Sequence, residues 1–160
     1  MFERTALPDG PRVISARMPG TRSFSAAAYV MVGSRQESRA ESGLAHFMEH
    51  ITFKGTRDLA TTREVSEAVE CVGGSSNAAT DRETTIYWTR LPVREAALGI
   101  HVLSELTMRP RLRSEDIAHE REIIVDEIRS YRDDPGQYIF NIWDEAFFGD
   151  SPLGWEIAGD

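Results

Sequence analysis

One cysteine, Cys71, is the whole thiol content of the 160-residue chain. An internal disulfide and any all-cysteine metal site are thereby excluded, and a lone thiol suits a reducing compartment. Basic residues are also in deficit. The 18 Lys and Arg stand against 26 Asp and Glu, a formal charge of −8, which argues against nucleic acid as a partner because phosphate contacts need clustered cations. No apolar run approaches the ~20 residues of a membrane helix, and Met1 to Thr5 lacks the basic-then-apolar layout of a secretory signal. The expectation is a cytoplasmic protein with no membrane span. Repeats, low-complexity tracts and linker-like clusters of Gly or Pro are missing as well, so residues 1–160 read as one domain without an internal boundary.

What remains is a composition able to bury a core, with 41% hydrophobic and 28% charged residues. Arg12 to Arg17, after an Asp9-Gly10 turn, and Ser23 to Val32 have the alternation or continuous burial of strands, which predicts an N-terminal sheet. Ser42 is placed to cap a helix through His50 and on to Phe53, ending near Gly55. Thr61-Thr62-Arg63-Glu64 has the form of a capping box for a second helix that Gly73-Gly74 stops. Ser76 to Thr80 and Glu83 to Thr89 flank Asp81-Arg82 as a hairpin. Helices follow: Val93 to Met108, then Ser114, as a cap, to about Tyr131. After a break at Asp133-Asp134-Pro135-Gly136 comes an amphipathic stretch carrying Tyr138, Ile139, Ile142, Trp143, Ala146 and Phe147. The class is α+β, an antiparallel-rich sheet packed by helices.

The pentapeptide His46-Phe47-Met48-Glu49-His50 carries the chemistry. Two imidazoles at i and i+4 of a helix share a face and lie one turn apart, so both can reach one tetrahedral metal ion. Glu49 stands beside them, able to take a proton from a water that the metal acidifies. Random placement of 4 His and 16 Glu gives this pattern in about one chain of this length in a hundred. Two surface histidines on an amphipathic helix are the plain alternative, so a third ligand is required. Candidates are His101, His119, Cys71 and many carboxylates. Within His119 to Ile128, Glu120 and Glu127 fall on one helix face two turns apart, whereas Glu122 and Asp126 point elsewhere. A solvated acidic face remains the competing account of any Glu there.

His-x-x-Glu-His inverts the His-Glu-x-x-His zincin order, an inverzincin signature. Around it lie Gly33-Ser34-Arg35-Gln36-Glu37, Gly43-Leu44-Ala45 and Phe53-Lys54-Gly55-Thr56. Further on come Asn77-Ala78-Ala79-Thr80 with Glu83, Thr85 and Tyr87, then Glu120-Arg121-Glu122, Val125 to Ile128, Asp133-Asp134-Pro135 and Pro152-Leu153-Gly154. In these residues the chain resembles the N-terminal part of the M16 metallopeptidases, the group of pitrilysin, insulin-degrading enzyme and the mitochondrial processing peptidase β-subunit, and most the processing-peptidase branch. The resemblance implies that His46, His50 and Glu127 bind one Zn2+, that Glu49 is the general base, and that Glu120 orients the metal site without ligating it. It implies too that the Asn77, Ala78, Ala79 and Thr80 strand receives an extended peptide substrate by β-augmentation. The activity implied is zinc-dependent endopeptidase hydrolysis.

Family members pair two similar halves around a chamber, and the second half grips the substrate. Nothing in residues 1–160 matches that half, so the resemblance makes this the catalytic peptidase domain of a longer chain, cut off at Ile157-Ala158-Gly159-Asp160. The missing half, or a partner subunit, completes the chamber, a dimer being one such arrangement. The isolated chain would hold zinc yet be a poor peptidase. Two other readings compete. S-ribosylhomocysteine lyase shares His-x-x-Glu-His but needs two functional cysteines, and Cys71 alone cannot serve as both. A non-catalytic M16-like scaffold, such as the core subunits of the bc1 complex, tends to lose the metal residues that are intact here. His101 and His119 gain no role, Trp88, Trp143 and Trp155 read as packing residues, and Cys71 reads as an inert small core residue.

Overall fold

In a computed structural model, residues 2–8 and 10–159 are described; the Asp9 of the expected turn and the terminal Asp160 lie outside them. The order is β1 (Phe2–Ala6), β2 (Arg12–Ala16), β3 (Ser23–Val30), α1 (Leu44–Thr52), α2 (Thr62–Glu70), β4 (Ser75–Thr80), β5 (Thr85–Pro92), α3 (Ala96–Met108), α4 (Ser114–Asp133) and α5 (Pro135–Phe148). The chain is α+β, as expected. The N-terminal sheet is not one sheet. β1, which its Glu3-Arg4 pair hides from an alternation search, forms an exposed antiparallel hairpin with β2, while β3 joins an antiparallel sheet of order β3-β5-β4.

β5 is the central strand and its alternation is complete: Thr85, Tyr87, Thr89 and Leu91 are all buried on one face. Ala78 of β4, Val65 and Val69 of α2, and Val102, Leu103 and Leu106 of α3 pack with Tyr87 and Leu91 into the core. α3 comes close because residue 99 is glycine. A Cβ there would stand 2.7 Å from Leu91 Cδ1.

Several local expectations need correction. Ser42 does not cap α1. Gly43 occupies the N-cap at φ +89°, a left-handed conformation natural to glycine, and the Glu37 carboxylate accepts from the Gly43 and Ala45 N–H groups at 2.8 and 2.5 Å. Thr61 does cap α2 by accepting from Glu64 N–H, but the Glu64 carboxylate takes Ala60 N–H, so the box closes one residue early. Ser114 is the first helical residue of α4 and Arg113 its N-cap, bound to Asp116. The segment expected as helix from Val93 begins as a 3₁₀ turn, Val93–Glu95. Cys71 is exposed, because Val65 and Val69 take the inward face of α2. Trp143 is also exposed, stacked on Phe147 at 5.1 Å, and none of α5 is buried.

The last segment folds back on the molecule. Arg82, in the β4–β5 turn, pairs with Asp144 and donates to Leu153 O at 3.0 Å. A Cβ on Gly43 would meet Ala158 O at 2.5 Å, so the same glycine that starts α1 also seats the chain end.

Candidate metal centre

α1 packs against β4 on one side and α4 on the other, which fixes where its histidines point. His46 and His50 lie one turn apart with ring centroids 4.5 Å from each other. Glu127 of α4 faces both: its Oε1 is 3.9 Å from His46 Nε2 and its Oε2 is 3.6 Å from His50 Nε2. One donor atom from each of the three lies within 4.8 Å of the others. Tetrahedral zinc with bonds of about 2.0–2.2 Å separates its ligands by roughly 3.3–3.6 Å, so a small inward movement of the side chains suffices.

The chemistry of the donor set fits a cation. His46 is half-buried, and burial, reinforced by the neighbouring His50, pushes its pKa down despite the opposing carboxylates Glu127, Glu49 and Glu37. A neutral ring is the metal-binding form. His46 Nδ1 is buried with no hydrogen-bond partner. His50 Nδ1 lies 2.9 Å from Glu120 Oε1, an arrangement that puts the proton on Nδ1 and turns the Nε2 lone pair toward Glu127. The Nε2 lone pair of His50 and the Glu127 carboxylate therefore face each other, with the His46 ring beside them, an arrangement that a cation between them would relieve.

Behind this set stands a layer of support. Glu120 is 2% exposed and pairs with Lys54 Nζ at 2.5 Å as well as with His50. Tyr131 donates its phenolic hydrogen to Glu127 Oε1 at 2.9 Å, and that bond, with burial, raises the Tyr131 pKa and keeps it a donor. Glu122 and Asp126 are exposed, and Asp126 pairs with Arg129. The two-turn face of Glu120 and Glu127 is thus the inner one. Sequence patterns give neither Lys54 nor Tyr131 a role, although Lys54 belongs to the Phe53-Lys54-Gly55-Thr56 stretch. For Tyr131, four residues after Glu127 on α4, helix spacing is the available signal, whereas Lys54 lies past the end of α1.

Asn77, Ala78, Ala79 and Thr80 lie on β4, the edge strand beside α1. Asp81 N–H donates to Thr84 O at 2.8 Å, and alternation from that point leaves the main-chain groups of Thr80 and Ala78 turned away from β5. The Ala78 N–H is met by Asn77 Oδ1 at 2.9 Å. Side chains divide by face. Ala78 is buried in the core, Asn77 and Ala79 are exposed, and the Thr80 hydroxyl donates to Glu49 Oε2 at 2.5 Å.

A second group, Asp58, His101 and Glu105, also brings ligand atoms together. Its oxygens are already engaged: Glu105 holds Arg109 and the Asp58 N–H, and Asp58 holds Arg57. Burial raises the Glu105 carboxyl, but the Asp58 N–H, Arg109 and Thr56 more than offset it and hold it below its usual range. That cluster braces the Thr56–Leu59 turn. His119 is exposed.

Comparison with known proteins places the geometry in context. The family model for insulinase, peptidase family M16, matches residues 12–160. An uncharacterized zinc protease of Streptomyces coelicolor is 36% identical over 156 residues, covering 98% of this chain and 34% of its own. The uncharacterized zinc protease YmxG of Bacillus subtilis is 29% identical, covering 99% of this chain and 39% of its own. The chain therefore spans little more than a third of these curated relatives. A protease from Helicobacter pylori superimposes with a TM-score of 0.94 at 25% identity over all of this chain and 39% of the other. An inactive M16 domain from Pseudomonas fluorescens gives 0.89 at 14% identity, again with 39% of that chain covered, a likeness of fold alone.

Proposed function

The chain belongs to peptidase family M16, and from that premise we propose that it is the metal-bearing part of a zinc endopeptidase that cleaves extended peptides. The observation that carries the reading is the convergence of His46, His50 and Glu127 from two helices, with Glu49 beside them. These three residues would hold one Zn2+. Zinc bound there supplies Lewis acidity, polarising the substrate carbonyl and lowering the pKa of the attacking water. The names of the relatives, zinc proteases, support the choice of metal.

The chain's own residues do the rest. Glu120 fixes the His50 ring, Lys54 balances the charge of Glu120, and Tyr131 orients Glu127. Glu49 takes the proton from water and returns it to the leaving amine. A peptide adding to the β4 edge would bond to the outward main-chain groups of Ala78 and Thr80 once Asn77 Oδ1 releases the Ala78 N–H, with Asn77 and Ala79 side chains on the open face. A second half, or a partner subunit, closing the chamber belongs to this reading, since the curated relatives are nearly three times longer.

A non-catalytic scaffold is the rival, and the inactive neighbour shows that this fold alone does not decide. Elemental mass spectrometry of the purified chain before and after chelation separates the two. About one zinc per chain is expected, and Glu49→Gln is expected to keep the metal while the full-length protein loses hydrolysis. A folded chain without zinc, or metal loss in Glu49→Gln, contradicts the assignment.

A further inference from the structure

The proton-transfer step needs Glu49 held in one orientation, and a glutamate on the surface of a nine-residue helix has three rotatable bonds. Its mount comes from another element. Thr80 Oγ1 donates to Glu49 Oε2 at 2.5 Å. The direction of that bond is set by the carboxylate, which can only accept. The buried Thr85 hydroxyl spends its hydrogen on Val32 O at 3.0 Å, and Thr85 Oγ1 stands 3.4 Å from Thr80 Oγ1. With its hydrogen so engaged, Thr85 could only accept from Thr80, but at 3.4 Å it competes poorly with the carboxylate at 2.5 Å, which also only accepts, so the Thr80 hydrogen goes to Glu49.

The mount is also rigid. Thr80 is the last residue of β4, and the turn that follows is clamped. Ser34 and Arg35 N–H donate to Asp81 O and Arg82 O at 3.3 and 2.8 Å. Residue 33 is glycine where a Cβ would stand 2.1 Å from Asp81 O, so the segment is pressed directly onto the turn. A β-branched side chain on such a backbone has a stiff χ1.

We propose that Thr80 is a positioning residue for peptide hydrolysis: its hydroxyl holds Glu49 Oε2 so that Oε1 is presented to the attacking water, from the strand whose edge receives the peptide. This rests on the endopeptidase reading above. It also assigns the Thr80 side chain to the base, leaving only its main chain for the substrate. Docking and base orientation then share one residue, so a peptide seated on β4 and a correctly turned Glu49 are obtained together.

The test uses the full-length protein and an internally quenched peptide chosen from a random mixture because the unaltered protein cleaves it. Thr80→Val removes the donor at nearly constant shape. It is expected to lower kcat about ten- to hundredfold, part of the 10²–10⁴ that a general base supplies, with KM within about twofold. Thr80→Ser keeps the donor and is expected to restore kcat to within about threefold. Zinc content is expected to be unchanged in both. Binding of the same peptide, followed by fluorescence anisotropy, is expected to be equal in Glu49→Gln and in Glu49→Gln combined with Thr80→Val. A raised KM with kcat preserved, or weakened anisotropy binding, would overturn the proposal in favour of a side-chain contact to substrate. Ser no better than Val would reduce Thr80 to packing, and an unchanged kcat in Thr80→Val beside an inactive Glu49→Gln would refute this inference alone. Hydrolysis surviving in Glu49→Gln would instead remove the base assignment on which it stands.

Discussion

Glu120 and Glu127 stand two turns apart on α4 and approach opposite sides of the same imidazole, Glu120 at His50 Nδ1 and Glu127 toward Nε2. Their exposure differs with their partners. Glu120 is sealed between His50 and Lys54, whereas Glu127 is half-buried with Tyr131 on one oxygen. Glu127→Gln is expected to weaken zinc binding by at least about tenfold, since a neutral amide would replace the carboxylate proposed as the third ligand, and Glu122→Gln to leave it unchanged. Competition with a chromophoric chelator measures both; equal loss in the two variants would contradict the helix-face assignment. That the two share a face is legible in the sequence because helix periodicity is a local rule, whereas the division of roles between them comes only from the family resemblance. The pairing of Glu49 with Thr80 is not legible there, since it joins residues from a helix and a strand with no common period.

At the scale of the element, α1 shows where local signals mislead. A serine before an apolar run predicts a cap, yet the left-handed Gly43 lies between, and the cap is Glu37, six residues upstream of the first N–H it accepts. A charged acceptor at the positive end of the helix serves two of its free N–H groups at once. Glu37→Ala is therefore expected to destabilise the chain by about 1–2 kcal/mol, while Ser42→Ala stays within about 0.5 kcal/mol. Urea unfolding distinguishes them, and a larger loss at Ser42 would restore it as the cap. Strands follow the same logic. β5 announces itself through β-branched and aromatic residues and β4 chiefly as its partner across the Asp81-Arg82 turn, but which strand pairs with which is a long-range matter, and the pairing of β2 with β1 and not β3 is hidden for that reason. The amphipathic pattern over Tyr138 to Phe147 does form a helix, α5. Its apolar residues, however, are exposed, because periodicity reports a face without saying what covers it.

For the molecule as a whole, the returning segment links the chain end to the start of α1 and to the β4–β5 turn. Glu156 lies in it, half-buried. Burial raises its pKa, opposed by the Ala158 and Ile157 N–H groups and by Arg132 and Arg82. A carboxyl raised in the fold binds more protons there than in the unfolded chain, so its contribution to stability is present below the ordinary glutamate range and is lost as pH rises through the folded value. Glu156→Gln, which keeps the acceptor and drops the charge, is expected to stabilise the chain at pH 7, with the advantage shrinking toward pH 4. Unfolding midpoints in urea at the two pH values test this, and an advantage that grows in acid would reverse the sign of the argument. No helix among the described residues is long and apolar enough to cross a membrane.

α4 buries only Glu120 and Ile124 along its 20 residues, so little apolar surface fastens it to α1. An ion shared by His46, His50 and Glu127 would therefore act on this helix as a removable cross-link. It would close a loop of 76 intervening residues and deny the unfolding chain the freedom of that loop. The core around Tyr87 and Leu91 gains nothing locally from such a staple, being sealed by α2 and α3 without it. Chelation would then loosen one strut of the molecule and leave its keel in place.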